Sequence, residues 1–178
     1  MRCTKSIAVI LFLSSVGAAR ASAQCNSNTG SCTTSNPASV TIGSLVKLGM
    51  SGTTTSLTFP TADQVDLGAV IADPGPTFTI KANRSWTLSI KSGNATSWTY
   101  TGSNGGVKSI SDLTWSNAVA GTFVPITATG AVFTSGASAS AGTAAAAFFK
   151  TNYPAGFTDA ANAPGTYSLP IMFTLTAP

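Results

Sequence analysis

Five aspartates, Asp63, Asp66, Asp73, Asp112 and Asp159, are the entire acidic supply of this 178-residue chain, which contains no glutamate and no histidine. A Ser-His-Asp or Cys-His triad cannot be assembled, because its general base is absent. The usual zinc sets lose their nitrogen ligands for the same reason. Two aspartates could still serve a glycosidase, but their settings indicate a simpler role. Asp63 and Asp66 stand near a predicted strand start, while Asp73 and Asp159 stand in turns with Pro or Gly nearby, where a short carboxylate caps backbone N–H groups. A calcium loop at Asp66 or Asp73 would need a dense D-x-D-x-D-G run, and there is none. Gly102-Ser103-Asn104-Gly105-Gly106 imitates a phosphate loop, yet no helix or GK[ST] follows it. The expectation is a protein without catalysis, cofactor or metal.

Binding features are the next candidates. Lys81, Arg84 and Lys91 cluster around one predicted hairpin. Protection of an edge strand by solvated charge is one role for them; contact with an anionic wall polymer or glycan is the other. Trp98 and Tyr100 share one strand face and could form an aromatic platform for sugar, or pack in the core as ordinary strand residues.

The N-terminus places these candidates outside the cytoplasm. Arg2 and Lys5 precede the apolar run from Ile7 to Val16, and Ala21-Ser22-Ala23 is an A-x-A cleavage site. Residues 1–23 are expected to be a signal peptide, and no apolar stretch is long enough for a transmembrane segment in the mature chain. Arg2, Lys5 and Arg20 leave with the signal, so six cations face five aspartates and the mature net charge is about +1. The basic pI of about 9.2 therefore belongs largely to the export signal, and long-range attraction to nucleic acid has no basis in the mature chain. Cys25 and Cys32 survive cleavage, and export favours a disulfide between them within a flexible segment, residues 24–36.

The elements that must position the candidates are strands. In Pro76–Lys91, Phe78, Ile80, Trp86, Leu88 and Ile90 fall on even positions among Thr, Ser and Lys, the period of a half-buried strand. A hairpin with Asn83-Arg84-Ser85 as its loop would pair Ala82 with Trp86, Ile80 with Leu88 and Phe78 with Ile90. That loop lacks the glycine usual in such turns, so a crossover between two sheets is the alternative. Further strands are expected over Val40–Met50, around Leu57–Phe59 and over Val65–Ile71, the last ended by Asp73-Pro74-Gly75-Pro76. More follow at Trp98–Tyr100, Leu113–Trp115, Phe123–Ile126 and Val132–Phe133. Ser135–Ala147 reads as a loop running into a strand through Phe149. Tyr167, Leu169, Ile171, Phe173 and Leu175 make the last strand, which Pro170 places at an edge or a bulge. Many short strands between turns, with no credible helix, predict an all-β chain: a single antiparallel β-sandwich, immunoglobulin-like or pilin-like, over residues 37–178. A closed barrel is the alternative.

Trp86-Thr87-Leu88 resembles the proximal W-x-L signature of the WxL domains of bacterial surface proteins. Tyr167–Leu175, YSLPIMFTL, has the spacing of their distal signature, with Phe173 where that family has its second Trp. The ending PGTYSLPIMFTLTAP is similar to the last strand of secreted spore-coat-U-like and pilin-like sandwiches. The resemblance implies a secreted or cell-envelope structural or interaction protein. A cell-wall or glycan-binding module is the alternative, and a pilus-like subunit that self-associates by strand addition is a second. Partners would be a cell-wall polymer, a glycan or another envelope protein.

Because Cys3 departs with the signal, freshly exported protein should contain no free thiol. Closing the short Cys25–Cys32 loop is worth roughly 2–3 kcal/mol by chain entropy, but only where the loop is ordered. Reduction should therefore barely shift the thermal midpoint. Two free thiols before reduction, or a large loss of stability after it, would refute one half or the other.

Overall fold

A computed structural model describes residues 37–58, 60–68, 72–153 and 160–178, together with Gly30, Ser31 and Thr33. The signal segment, the Cys25–Cys32 pairing, Phe59, Val70, Ile71 and Asp159 lie outside these residues. The chain divides into two compact units, Met1–Thr41 and Ile42–Pro178, and the strands belong to the second.

Those strands are β1 (Val46–Met50), β2 (Asp73–Ala82), β3 (Trp86–Ser92), β4 (Thr99–Thr101), β5 (Leu113–Ser116), β6 (Val124–Pro125), β7 (Ala131–Gly136), β8 (Ser140–Thr151), β9 (Thr166–Ser168) and β10 (Ile171–Thr176). Every ladder between them is antiparallel. One sheet has the order β1-β2-β8-β5-β6 and the other β10-β3-β7, while β4 and β9 form a separate two-stranded ladder. The fold is an antiparallel β-sandwich, as the strand periodicity predicts.

Its core is built from the even-numbered apolar set. Phe78, Ile80 and Ala82 on β2 and Trp86, Leu88 and Ile90 on β3 are all buried. Aromatic rings then join the sheets: Phe78 lies 4.5 Å from Phe173 and 5.6 Å from Phe133, and Trp115 lies 5.5 Å from Phe133, centroid to centroid. Such tilted and edge-on pairs add about 0.5–1.5 kcal/mol each beyond the area they bury. Gly136 sits opposite Trp86 in the β3–β7 ladder, and a Cβ there would lie 2.5 Å from the indole nitrogen. Glycine at this position lets β7 close over the indole.

The predicted hairpin does not form. β2 pairs with β1 and β8, β3 pairs with β10 and β7, and residues 83–85 carry the chain from one sheet to the other. Asn83 explains the outcome. Its amide oxygen accepts from Leu45 N at 2.9 Å, its amide nitrogen donates to Gly43 O at 2.8 Å, and its own N–H donates to Leu45 O. The loop is thus tied to the segment entering β1 rather than closed on itself.

Other expectations are corrected in the same way. Val40 and Ile42 are 84% and 70% exposed, and the first strand begins only at Val46. The predicted strand at Val65 is a single-turn helix, α1 (Ala62–Asp66), so the chain is not without helix. It begins with a reciprocal cap, in which Gln64 N donates to Thr61 Oγ1 and Thr61 N donates to Gln64 Oε1. Asp73-Pro74-Gly75-Pro76 does not break the chain; it is the irregular start of β2, where the register to β8 shifts between Pro74 and Thr77. The alanines Ala144–Ala147 belong to the twelve-residue strand β8 rather than to a loop. The last strand is two strands, divided at Leu169–Pro170, where the chain leaves β4 for β3.

Trp86→Ala should cost about 3–5 kcal/mol in denaturant unfolding, as a buried aromatic truncation. Val132→Ala, at a site 62% exposed, should change stability by less than about 0.5 kcal/mol. Equal effects from the two would overturn the assignment of Trp86 to the core.

Candidate functional site

β10 and β3 face the same core but do not enclose it equally. Leu88 and Ile90 of β3 are 0% and 1% exposed, whereas their ladder partners on β10, Leu175 and Phe173, are only half-buried. The cause is position. β3 has a neighbour on each side, and β10 is the edge of its sheet, where Pro170 ends one ladder before the next begins. Among the described residues no strand pairs with the outer edge of β10. β1, the edge of the opposite sheet, lies along the same margin. Between them a groove of about 640 Å³ opens toward the core, lined by Met50, Leu57, Phe149, Leu169, Ile171 and Phe173 among others.

The segment leaving β1 also borders this groove, from Gly52 through Leu57. It is fastened at both ends. Ser51 N donates to Thr77 O at 2.9 Å, and Thr77 N donates to Ser51 Oγ at 2.8 Å. At the far end Thr58 gives its backbone N–H (2.9 Å) and its hydroxyl to the buried carboxylate of Asp73. Asp73, a turn residue by sequence, is thus an anchor inside a strand. Its Pro-Gly-Pro neighbours hid that role.

The predicted contact residues are not brought together. Lys81 and Lys91 project from opposite outer faces of the sandwich, since Ile80 and Ala82 beside one and Ile90 and Ser92 beside the other point inward. Lys81 lies opposite Lys47, and Lys91 opposite Met172. Arg84 is in the crossover, 3.1 Å from Ser44 Oγ. Trp98 is buried and donates its indole N–H to Ser109 O at 2.8 Å. Tyr100 packs on Tyr167 at 5.0 Å, and its hydroxyl donates to Pro164 O. Of the aspartates, Asp112 accepts from Ser109 N and Asp63 lies in the first turn of α1. No three potential metal-ligating side chains gather among the described residues.

A second cavity, about 540 Å³, is lined by Val65, Lys108, Thr151 and Tyr153 among others. Lys108 is 2% exposed although Val107 before it is exposed. Its ammonium donates to Asn152 O at 2.6 Å, stands 3.7 Å from Asp112 and lies 4.6 Å from the centre of the Tyr153 ring. No local pattern in the sequence announces a buried lysine here.

No helix among the described residues is long and apolar enough to cross a membrane. Compared with protein-family models, curated proteins and solved structures, the chain matches none.

Tyr153 ionises above the ordinary phenol value of 10.0, first because burial penalises the phenolate and second because the Asp73 charge repels it. The fold therefore favours the neutral phenol. Its contribution to stability is complete below pH 10 and is lost as pH rises through the folded value. Subtracting the alkaline absorbance titration of Tyr153→Phe should reveal a midpoint above 10, and Asp73→Asn should move it downward. A midpoint at or below 10 would contradict the enclosed position of this ring.

Proposed function

We propose that this chain is a secreted, non-catalytic structural protein of the cell envelope that joins a neighbouring chain by strand addition along the outer edge of β10. The observation that carries the proposal is the half-buried row Ile171, Phe173 and Leu175 on a strand that is paired on one side only. An added strand would take up the unpaired main-chain groups of β10, and its alternate side chains would fill the apolar groove. The expected export signal and the resemblance to bacterial surface sandwiches support the envelope setting. The absence of histidine and glutamate supports a role without catalysis.

A second copy of the chain supplies a matching strand. In Ser39-Val40-Thr41-Ile42-Gly43 the apolar residues alternate with small and hydroxyl residues, and Val40 and Ile42 are among the most exposed apolar side chains described. Such a stretch gains burial in another copy's groove that it lacks here.

The exported chain should therefore form concentration-dependent oligomers in sedimentation velocity, and deletion of residues 24–42 should leave a folded monomer. A full-length exported chain that stays monomeric at high concentration, or a deletion variant that assembles equally well, would refute strand addition by this segment.

A further inference from the structure

The geometry points to residues 52–57 as a resident plug of the β10 groove, one that an incoming strand must displace; this inference rests on the strand-addition reading above. All six residues border the groove. Thr55 and Leu57 are half-buried while Thr54, Ser56 and Thr58 are exposed, so the segment alternates as a strand does and turns Thr55 and Leu57 inward. Leu57 packs against the core cluster. Yet among the described residues none of 52–57 makes a hydrogen bond, backbone or side chain, in contrast to the fastened residues Ser51 and Thr58 that flank them.

A segment with those properties borders the groove with the alternation of a strand but without the ladder that would hold one. Its only apolar contribution is Leu57; Thr53, Thr54, Thr55 and Ser56 are hydroxyl residues. The hinge at one end is Gly52, whose φ of +70° is a conformation that favours glycine. At the other end the fastening is the Thr58–Asp73 pair. In a lone chain the plug covers apolar surface that would otherwise invite indiscriminate contact. A partner strand that brings both a ladder and a full apolar row displaces it. Its apparent affinity is reduced by the fraction of chains in which the plug is closed. The plug thus sets a threshold for assembly.

The test uses the exported chain, diluted until monomeric, with a synthetic peptide of residues 37–45 as probe. Three measurements are made. Hydrogen exchange should slow at β10 amides when the peptide binds. In Leu57→Cys, the thiol should be alkylated at least about threefold faster with peptide than without, because the plug leaves the groove. Thr58→Val, which keeps the side-chain shape but removes the hydroxyl donated to Asp73, should speed peptide association at least about threefold while leaving the circular dichroism spectrum unchanged. Protection of β10 with slower alkylation at position 57 would show the plug buried beneath the strand and would overturn this inference while leaving strand addition standing. Association of Thr58→Val at the original rate would overturn it in the same way. Absence of any β10 protection would overturn strand addition itself, and the plug with it.

Discussion

Phe78 and Phe173 meet across the two sheets at 4.5 Å, with Phe133 within 5.7 Å of both, and this contact constrains much of the rest. Phe78 lies in the middle of β2, flanked by β1 and β8. Phe173 comes from the end of the chain. To reach Phe78 it must leave the β4–β9 ladder and enter the other sheet beside Ile90. Pro170 makes that transition without loss of a ladder hydrogen bond, because it has no N–H to leave unpaired. Its carbonyl is used instead by Gly93 N, at 2.8 Å.

The same delivery leaves a margin open. A sheet of three strands faces one of five, so one flank of the larger sheet lacks full cover. Along the margin where β1 and β10 lie, Ile171, Phe173 and Leu175 of the smaller sheet are only half-buried. An edge strand with unpaired backbone is a hazard that proteins usually blunt with charge or proline. Here β10 carries no charged residue, and its outward positions are Met172, Thr174 and Thr176. β10 therefore lacks the charge that commonly protects such an edge, as does β7 at the other side of the same sheet.

Charge is scarce in this chain, at 8% of residues, and hydroxyl and amide side chains do the fastening instead. Asn83 ties the crossover to residues 43–45, Ser51 ties the end of β1 to Thr77, and Ser140 Oγ reaches Ile80 O at 2.8 Å. These bonds are short-range and directional, each worth about 0.5–1.5 kcal/mol net. They hold loops in place without the long-range repulsion or attraction that ion pairs would add. Two charged exceptions are enclosed, Asp73, which holds Thr58, and Lys108, which lies close to Asp112.

Strand class and the inward set are written in the order of residues alone. Alternation in a strand assigns each side chain to one of two faces, so Phe78, Ile80, Trp86, Leu88 and Ile90 were legible as core from parity. Pro170 likewise signalled an edge or a bulge, because a missing N–H is a local property; in the fold it stands at the break between β9 and the edge strand β10. Parity cannot tell which strand lies beside which, and the hairpin reading of residues 78–90 failed there although every inward residue was correct. It took the packed fold to establish that Asn83 binds residues 43–45, that β10 joins β3, and that β1 and β10 share an open margin. Each of these joins positions tens of residues apart, whose affinity depends on geometry that no local pattern carries. The helical turn α1 was missed because Val65 and Leu67 alternate as in a strand, whereas the Thr61–Gln64 cap starts a helix there. The groove was not legible at all, because an unfilled space between two edges is a property of the packed sheets and of no single stretch of chain.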